Sequence, residues 1–190
     1  FPTRRSSDLV SGVQIQQSSA TTGNSNVRIQ GLDGRYTQIL RDGMPLYDGF
    51  SGGFGILTVP PLDLKQIELI KGSASTLYGG GAIGGLINLI SKRPTFKQEV
   101  DALVNYTTLQ EFNANVYVAK RNNKFGYNLF TGYTNQQPVD VNKDGLSDLP
   151  DAGSIIIHPR LFYYPTPKTV VLIGYSGSFD DRKGGDMEVL

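Results

Sequence analysis

The chain has 190 residues and a net charge of +1, from 18 Lys plus Arg against 17 Asp plus Glu; it lacks the basic excess with which nucleic-acid binders hold phosphate, so no nucleic acid is expected as a partner. It has no Cys and one His, which excludes disulfide frameworks, thiolate metal sites, cysteine nucleophiles and any site needing two imidazoles. With 38% apolar and 18% charged residues and 23 Gly, the composition is that of a folded, turn-rich chain, neither disordered nor a membrane helix.

Residues 1–9 (FPTRRSSDL) show no helical or strand period and join abruptly to a different style of sequence at Val10. Their back-translation looks like a sequencing adapter, so they are expected to be a translated artefact and are set aside from the fold. The chain stops at Glu188-Val189-Leu190 without a terminal signal. It is expected to be a fragment, shortened at both ends.

Residues 10–95 mix short apolar runs with Gly-rich turns and are expected to form a small α+β domain. The stretch 36–40 (YTQIL) predicts a strand, Asp42-Gly43 a tight turn because Gly tolerates positive φ, and 44–47 the return arm. Residues 64–71 (LKQIELIK) alternate imperfectly, as either a strand or a short helix. Ser73 caps a single helical turn over 73–77, and 86–90 (LINLI) predicts a strand stopped by Lys92-Arg93-Pro94.

From residue 96 the texture changes to long alternating segments, each about ten residues, which is enough for a tilted strand to cross a bilayer. Val100, Ala102, Val104 and Tyr106 share one face of the first segment; Phe112, Ala114, Val116 and Val118 share one face of the second. Phe125, Tyr127, Leu129 and Tyr133 mark the third, residues 155–164 the fourth and 170–179 the fifth, with Val171, Ile173 and Tyr175 together. Connections at 121–124 and 165–168 are short; 136–153 is long and polar. Tyr106, Phe112, Phe125, Tyr133, Phe162, Tyr163 and Tyr164 sit near strand ends, as interfacial aromatic girdles do. A transmembrane β-barrel needs this pattern. A soluble antiparallel sandwich also alternates, and periodicity alone leaves both open. Five strands are too few to close a barrel around a domain.

Three motifs invite chemistry. Gly79, Gly81 and Gly84 satisfy G-x-G-x-x-G, but the β-prone LINLIS follows where a dinucleotide site needs a helix. Asp140, Asn142, Asp144, Asp148 and Asp151 stand at positions 1, 3, 5, 9 and 12 of a loop with Gly145 at position 6, the spacing of a Ca²⁺ loop, although no helices flank it and Asp151 replaces the usual Glu. Either a structural Ca²⁺ or a solvated acidic loop built on Asx turns fits. His158 is expected to face the lumen or pair with a neighbour. It has no partner placed by sequence, so no nucleophile–base–orienter set is assembled and no enzyme activity is expected.

Val27-Arg28-Ile29-Gln30-Gly31-Leu32 with Gln38-Ile39-Leu40-Arg41-Asp42-Gly43-Met44-Pro45, and then Gln66-Ile67-Glu68-Leu69-Ile70-Lys71-Gly72, Tyr78-Gly79, Gly84-Gly85 and Asn88, resemble the plug domain of TonB-dependent outer-membrane receptors. The resemblance is dense over residues 24–95; it implies an α+β plug over 10–95 and, over 96–190, the first five or so strands of a 22-stranded antiparallel transmembrane barrel. The plug signature comprises Arg28, Gly31, Asp42, Gly43, Glu68, Lys71, Gly72, Tyr78, Gly79, Gly84, Gly85 and Asn88. It further implies that Arg28 and Lys71 pair with barrel carboxylates, although the family more often has Arg at the position of Lys71, and Lys lacks the guanidinium fork.

The implied function is active import of a scarce nutrient, a ferric siderophore first, with haem or cobalamin as alternatives, in the outer membrane of a Gram-negative bacterium. The implied partners are TonB with ExbB and ExbD, through a TonB box preceding the plug and absent from this chain, the nutrient, and outer-membrane lipid. No cofactor is required beyond the Ca²⁺ that the acidic loop invites. Tyr47, Phe50 and Phe54, on flexible Gly spacers, are ligand-contact candidates. The competing classes are a passive binding or adhesion barrel and a soluble carbohydrate-binding enzyme domain; the latter lacks a paired-carboxylate site.

Overall fold

A computed structural model describes residues 12–17, 25–46, 61–73 and 82–189. Two compact units emerge, and the chain passes between them more than once: Leu64–Ser91 belongs to the first, while Pro60–Asp63 and Lys92–Leu190 belong to the second. The change of unit falls at residues 91/92, close to the change of texture in the sequence.

In the first unit, β1 (Val13–Gln17) and β2 (Ser25–Ile29) form an antiparallel pair. β3 (Thr37–Arg41), β4 (Met44–Pro45), β5 (Leu64–Lys71) and β6 (Gly85–Ser91) form a four-stranded sheet in the order β4-β3-β6-β5. β6 runs parallel to β3 and antiparallel to β5. Its central place explains LINLI: a strand covered on both faces reads as a nearly continuous apolar run. The core joins Val27 and Ile29 of β2 to Ile39 of β3 and to Ile87 and Leu89 of β6. Residues 64–71 form a strand, not a helix, and a register shift between Leu64 and Gln66 accounts for their imperfect alternation. Asp42 (φ 51°) and Gly43 (φ 82°) make the predicted turn between β3 and β4. The described residues of this unit hold strands and a 3-10 turn (Gly34–Tyr36); the helical turn expected over 73–77 lies largely outside the described residues, as do residues 1–9.

In the second unit, β7 (Glu99–Tyr106), β8 (Glu111–Arg121), β9 (Phe125–Gln136), β10 (Asp151–Thr166) and β11 (Thr169–Gly174) follow one another as an antiparallel meander, and β12 (Gly177–Lys183) also pairs with β10. The fifth segment is therefore two strands. Both keep one register against β10, from Asp151↔Lys183 to Ile157↔Gly177 and again from Arg160↔Gly174. The gap falls opposite Pro159: Tyr175 donates its N–H to the Pro159 carbonyl at 3.0 Å, and Pro has no N–H to return.

Register assigns the faces. The cross-strand row Ala102, Val116, Thr131, Ile157 and Gly177 lies on one side, and the row Asp101, Tyr117, Phe130 and His158 on the other. The first side is the apolar one and is exposed, with Val104 69%, Leu161 63% and Ile173 71% accessible. The second is polar, and there Asn128, His158 and Arg160 are buried. A soluble sandwich would cover the apolar face; this sheet turns it outward, as lipid requires. Phe125 stacks on Tyr163 at 5.1 Å near one end of that face, and Phe112 meets Tyr133 at 6.3 Å near the other. Phe125 and Tyr133 are separated by roughly 26 Å of strand, the scale of a barrel's apolar band. Phe162 and Tyr164 do not belong to these girdles. Both are buried and point to the polar face, because neighbours in a strand face opposite ways.

Candidate functional site

The described plug-signature residues form a structural network. Asp42 Oδ1 accepts the Ser91 N–H at 2.9 Å, and the Asp42 N–H donates to the Leu89 carbonyl at 3.0 Å. Gly43 donates its N–H to Asn88 Oδ1 at 3.0 Å, and Asn88 Nδ2 donates to Glu68 Oε2 at 2.9 Å. The β3–β4 turn is thus tied through β6 to β5 by side chains that sequence placed as far apart as 42 and 88. Gly85 sits at φ 143°, where a Cβ would lie 2.5 Å from the Ile70 carbonyl and 3.0 Å from Ile29 Cδ1; only Gly fits between β5 and the core. Gly31 and Gly72, with φ of 77° and 95°, mark turns.

Arg28 lies on β2 and is half-buried. Its Nη2 lies 4.0 Å from Asp33 Oδ2, on its own unit's 3-10 turn. The backbone N–H of Arg35 on Asp33 holds that carboxyl below the ordinary Asp range. Lys71 ends β5, exposed. Tyr47, Phe50, Phe54, Tyr78 and Gly79 lie outside the described residues.

Within the second unit, the polar face holds a buried charge cluster. Asp63, from the short turn Pro61–Asp63, is 1% accessible, and its Oδ2 accepts from Arg160 Nη2 at 2.5 Å. His158 Nδ1 lies 3.7 Å from the same oxygen, and His158 Nε2 meets Ser176 Oγ at 2.7 Å. Gly174 makes room for the Arg160 stem, whose Cγ would lie 3.0 Å from a Cβ there. His158 thus faces the polar side and pairs with a neighbour, as its place in the sequence predicts, within a serine–histidine–carboxylate set. The set is not a catalytic relay: 3.7 Å exceeds hydrogen-bond reach, and Arg160 already engages the oxygen that would orient the imidazole. Its chemistry is that of an ion pair binding the 61–63 segment to the sheet.

Beside it, the segment entering β7 is clamped. Lys92 Nζ donates to Glu99 Oε1 at 2.6 Å and Asp101 Oδ2 at 2.8 Å and sits 4.8 Å above the Tyr117 ring. The Lys92 N–H donates to the Asp63 carbonyl at 2.8 Å, and its carbonyl accepts from Asn128 Nδ2 at 3.1 Å. Burial acts to lower the Lys92 pKa; the hydrogen bonds to Asp101 and Glu99 outweigh it, and the pKa stands above that of ordinary lysine. The Arg121 guanidinium lies 3.5 Å from the Tyr164 ring centroid and 5.0 Å from that of Phe96, and the Arg121 backbone N–H donates to the Thr95 carbonyl at 2.8 Å.

In the acidic loop, Asp140 accepts the N–H groups of Lys143 and Gly145, Asp148 those of Val141 and Asn142, and Asp144 that of Leu146. Asp151 opens β10 opposite Lys183. Among the described residues no three His, Asp or Glu side chains converge on a common metal position.

A discontinuous sheet whose central strand carries the Asn88 network, leading directly into an antiparallel sheet with an outward apolar face, defines a plug joined to membrane-type strands. Residues 4–86 match the family model described as the TonB-dependent Receptor Plug Domain. It is 37% identical over 89 residues to the ferric enterobactin receptor PirA of Pseudomonas aeruginosa, covering 41% of this chain and 12% of that protein. It is 26% identical over 95 residues to the vitamin B12 transporter BtuB of Vibrio vulnificus, covering 50% and 16%. The crystal structure of the siderophore receptor PirA from Acinetobacter baumannii is similar over 96% of this chain and 30% of that one, at 26% identity and a TM-score of 0.73. The chain therefore spans less than a third of each of these three relatives.

Proposed function

We propose that this chain is the plug and opening wall of an outer-membrane receptor of a Gram-negative bacterium that imports a ferric siderophore, using TonB with ExbB and ExbD. The observation that carries the reading is the sheet of the second unit, whose apolar face is exposed while its polar face holds buried ions, in the same chain as a plug domain. Among the described residues β7 and the β11–β12 edge are each paired on one side only, where further strands of a 22-stranded barrel would continue the sheet. The siderophore follows from the similarity to the two PirA receptors. The plug is the gate, and Tyr47, Phe50 and Phe54 are candidates for contact with the ligand.

The test is uptake of radioactive iron as ferric enterobactin by cells lacking their own receptors and carrying the complete reading frame. Uptake that a protonophore abolishes supports the proposal. Binding without energised uptake makes the protein a passive barrel. The likeness to BtuB favours one second reading, cobalamin import, and uptake of labelled cobalamin in place of iron would establish it.

A further inference from the structure

The strand unit is electrically polarised along its strands. Arg93, Lys97, Lys120, Arg121, Lys124 and Lys168 gather at the end of the sheet with the short turns 122–124 and 167–168, whereas Asp140, Asp144, Asp148, Asp180, Asp181 and Glu188 outnumber Lys143, Arg182 and Lys183 at the end with the long loop. Glu99 and Asp101, the acids nearest the basic end, are engaged by Lys92. Lys120, Lys124 and Lys168 are exposed, and no described carboxylate forms an ion pair with any of them. Lys120 lies on the apolar face, in register with Tyr127, at the rim of a hollow of about 420 Å³ lined by Phe125, Leu161, Tyr163, Val171 and Ile173. A hollow of apolar side chains below a stacked Phe125–Tyr163 pair, with the Lys120 ammonium at its rim and Lys124 and Lys168 on the turns at the same end of the sheet, has the form of an acyl-chain and phosphate site.

We propose that this corner binds an anionic glycerophospholipid of the membrane leaflet at the short-turn end, with an acyl chain in the hollow and the headgroup phosphate on Lys120, Lys124 and Lys168. The charge complementarity chooses the occupant: a zwitterionic lipid gains little from three unpaired cations, and a basic cluster flanking an apolar band attracts anionic headgroups. Short turns mark the periplasmic end of outer-membrane barrels, so the lipid belongs to the inner leaflet. The inference rests on the membrane-barrel reading.

The test is native mass spectrometry of the protein from its complete reading frame, released from detergent after titration with dioleoylphosphatidylglycerol or, separately, dioleoylphosphatidylcholine. Preferential retention of phosphatidylglycerol is expected, falling about fivefold for each lysine neutralised in Lys120→Gln, Lys124→Gln and Lys168→Gln. Lys183→Gln, at the opposite end, is expected to leave it unchanged. Equal retention of both lipids, or unchanged retention in the triple variant, overturns the site. Heat-modifiable migration on gels checks that each variant is folded, and a wild-type protein that neither needs detergent nor shows such migration overturns the barrel reading itself.

Discussion

Arg160 places Nη2 2.5 Å from Oδ2 of Asp63 across 97 residues of chain, and both side chains are withdrawn from water. The pair closes the polar face over the turn Pro61–Asp63, and His158 and Ser176 extend it on the same face of the sheet. A buried pair of this kind contributes little over an apolar replacement, but removing one partner strands the other charge in a dry site. Asp63→Ala or Arg160→Ala is therefore expected to cost about 3–5 kcal/mol. The joint Asp63→Leu, Arg160→Met variant should recover most of it. Thermal unfolding of the four proteins in detergent completes the cycle, and additive single effects would show that the two residues do not act as a pair.

Gly85 gives the sharpest local prediction. Gly85→Ala adds a Cβ 2.5 Å from a backbone carbonyl at a φ that L-residues rarely adopt, so it is expected to destabilise the plug by at least about 1–3 kcal/mol. Gly153→Ala, where nothing lies within 4 Å, should be nearly neutral. Denaturant midpoints compare the two, and equal effects would refute the packing account.

Much of this architecture was legible because period-two alternation assigns whole strands to faces. Ala102, Val116 and Leu129 fall on the face their spacing predicts. The Asp42-Gly43 turn and the LINLI strand were equally plain, since turn chemistry and burial on two sides leave local marks. What local pattern hides is the partner across the fold. Asp63 and Arg160 are single charges in unrelated contexts, and nothing in their neighbourhoods ties one to the other. Residues 162–164 are aromatic throughout, so composition placed all three in a girdle that alternation grants only to Tyr163. The break between β11 and β12 comes from Pro159 on the neighbouring strand, invisible within residues 170–179.

The Lys92 clamp has a defined pH dependence. Its pKa in the folded chain is raised above the unfolded value of 10.5, so its stabilisation is fully present below that value and fades as pH rises through the higher folded pKa. Lys92→Met should cost about 1–2 kcal/mol at neutral pH, given charge-assisted bonds at a partly exposed site. The difference from wild type should hold constant from pH 7 to 9 and shrink only above about pH 10.5. Thermal midpoints of both proteins across that range provide the check. A difference that vanished below pH 9 would mean that Lys92 acts through something other than its ammonium charge.

The loop 140–151 separates two explanations of one spacing. A Ca²⁺ loop needs its carboxylate oxygens turned toward a common centre. Here Asp140 accepts the N–H groups of Lys143 and Gly145 at 2.6 and 2.8 Å, and Asp148 those of Val141 and Asn142 at 2.8 and 3.2 Å. Lys143 and Gly145, at φ 63° and 87°, turn the backbone to deliver those groups. The same Asp and Asn positions serve an Asx-turn loop held by carboxylate–amide bonds. On this account, Asp140→Ala accelerates proteolytic nicking within the loop by about tenfold, the effect of losing two hydrogen bonds to a charged acceptor. Millimolar Ca²⁺ should leave the nicking rate of the wild type unchanged. Saturable protection by Ca²⁺, lost in Asp140→Ala, would give the loop the cation-binding role its spacing predicts and would require these carboxylates to release their amides on binding.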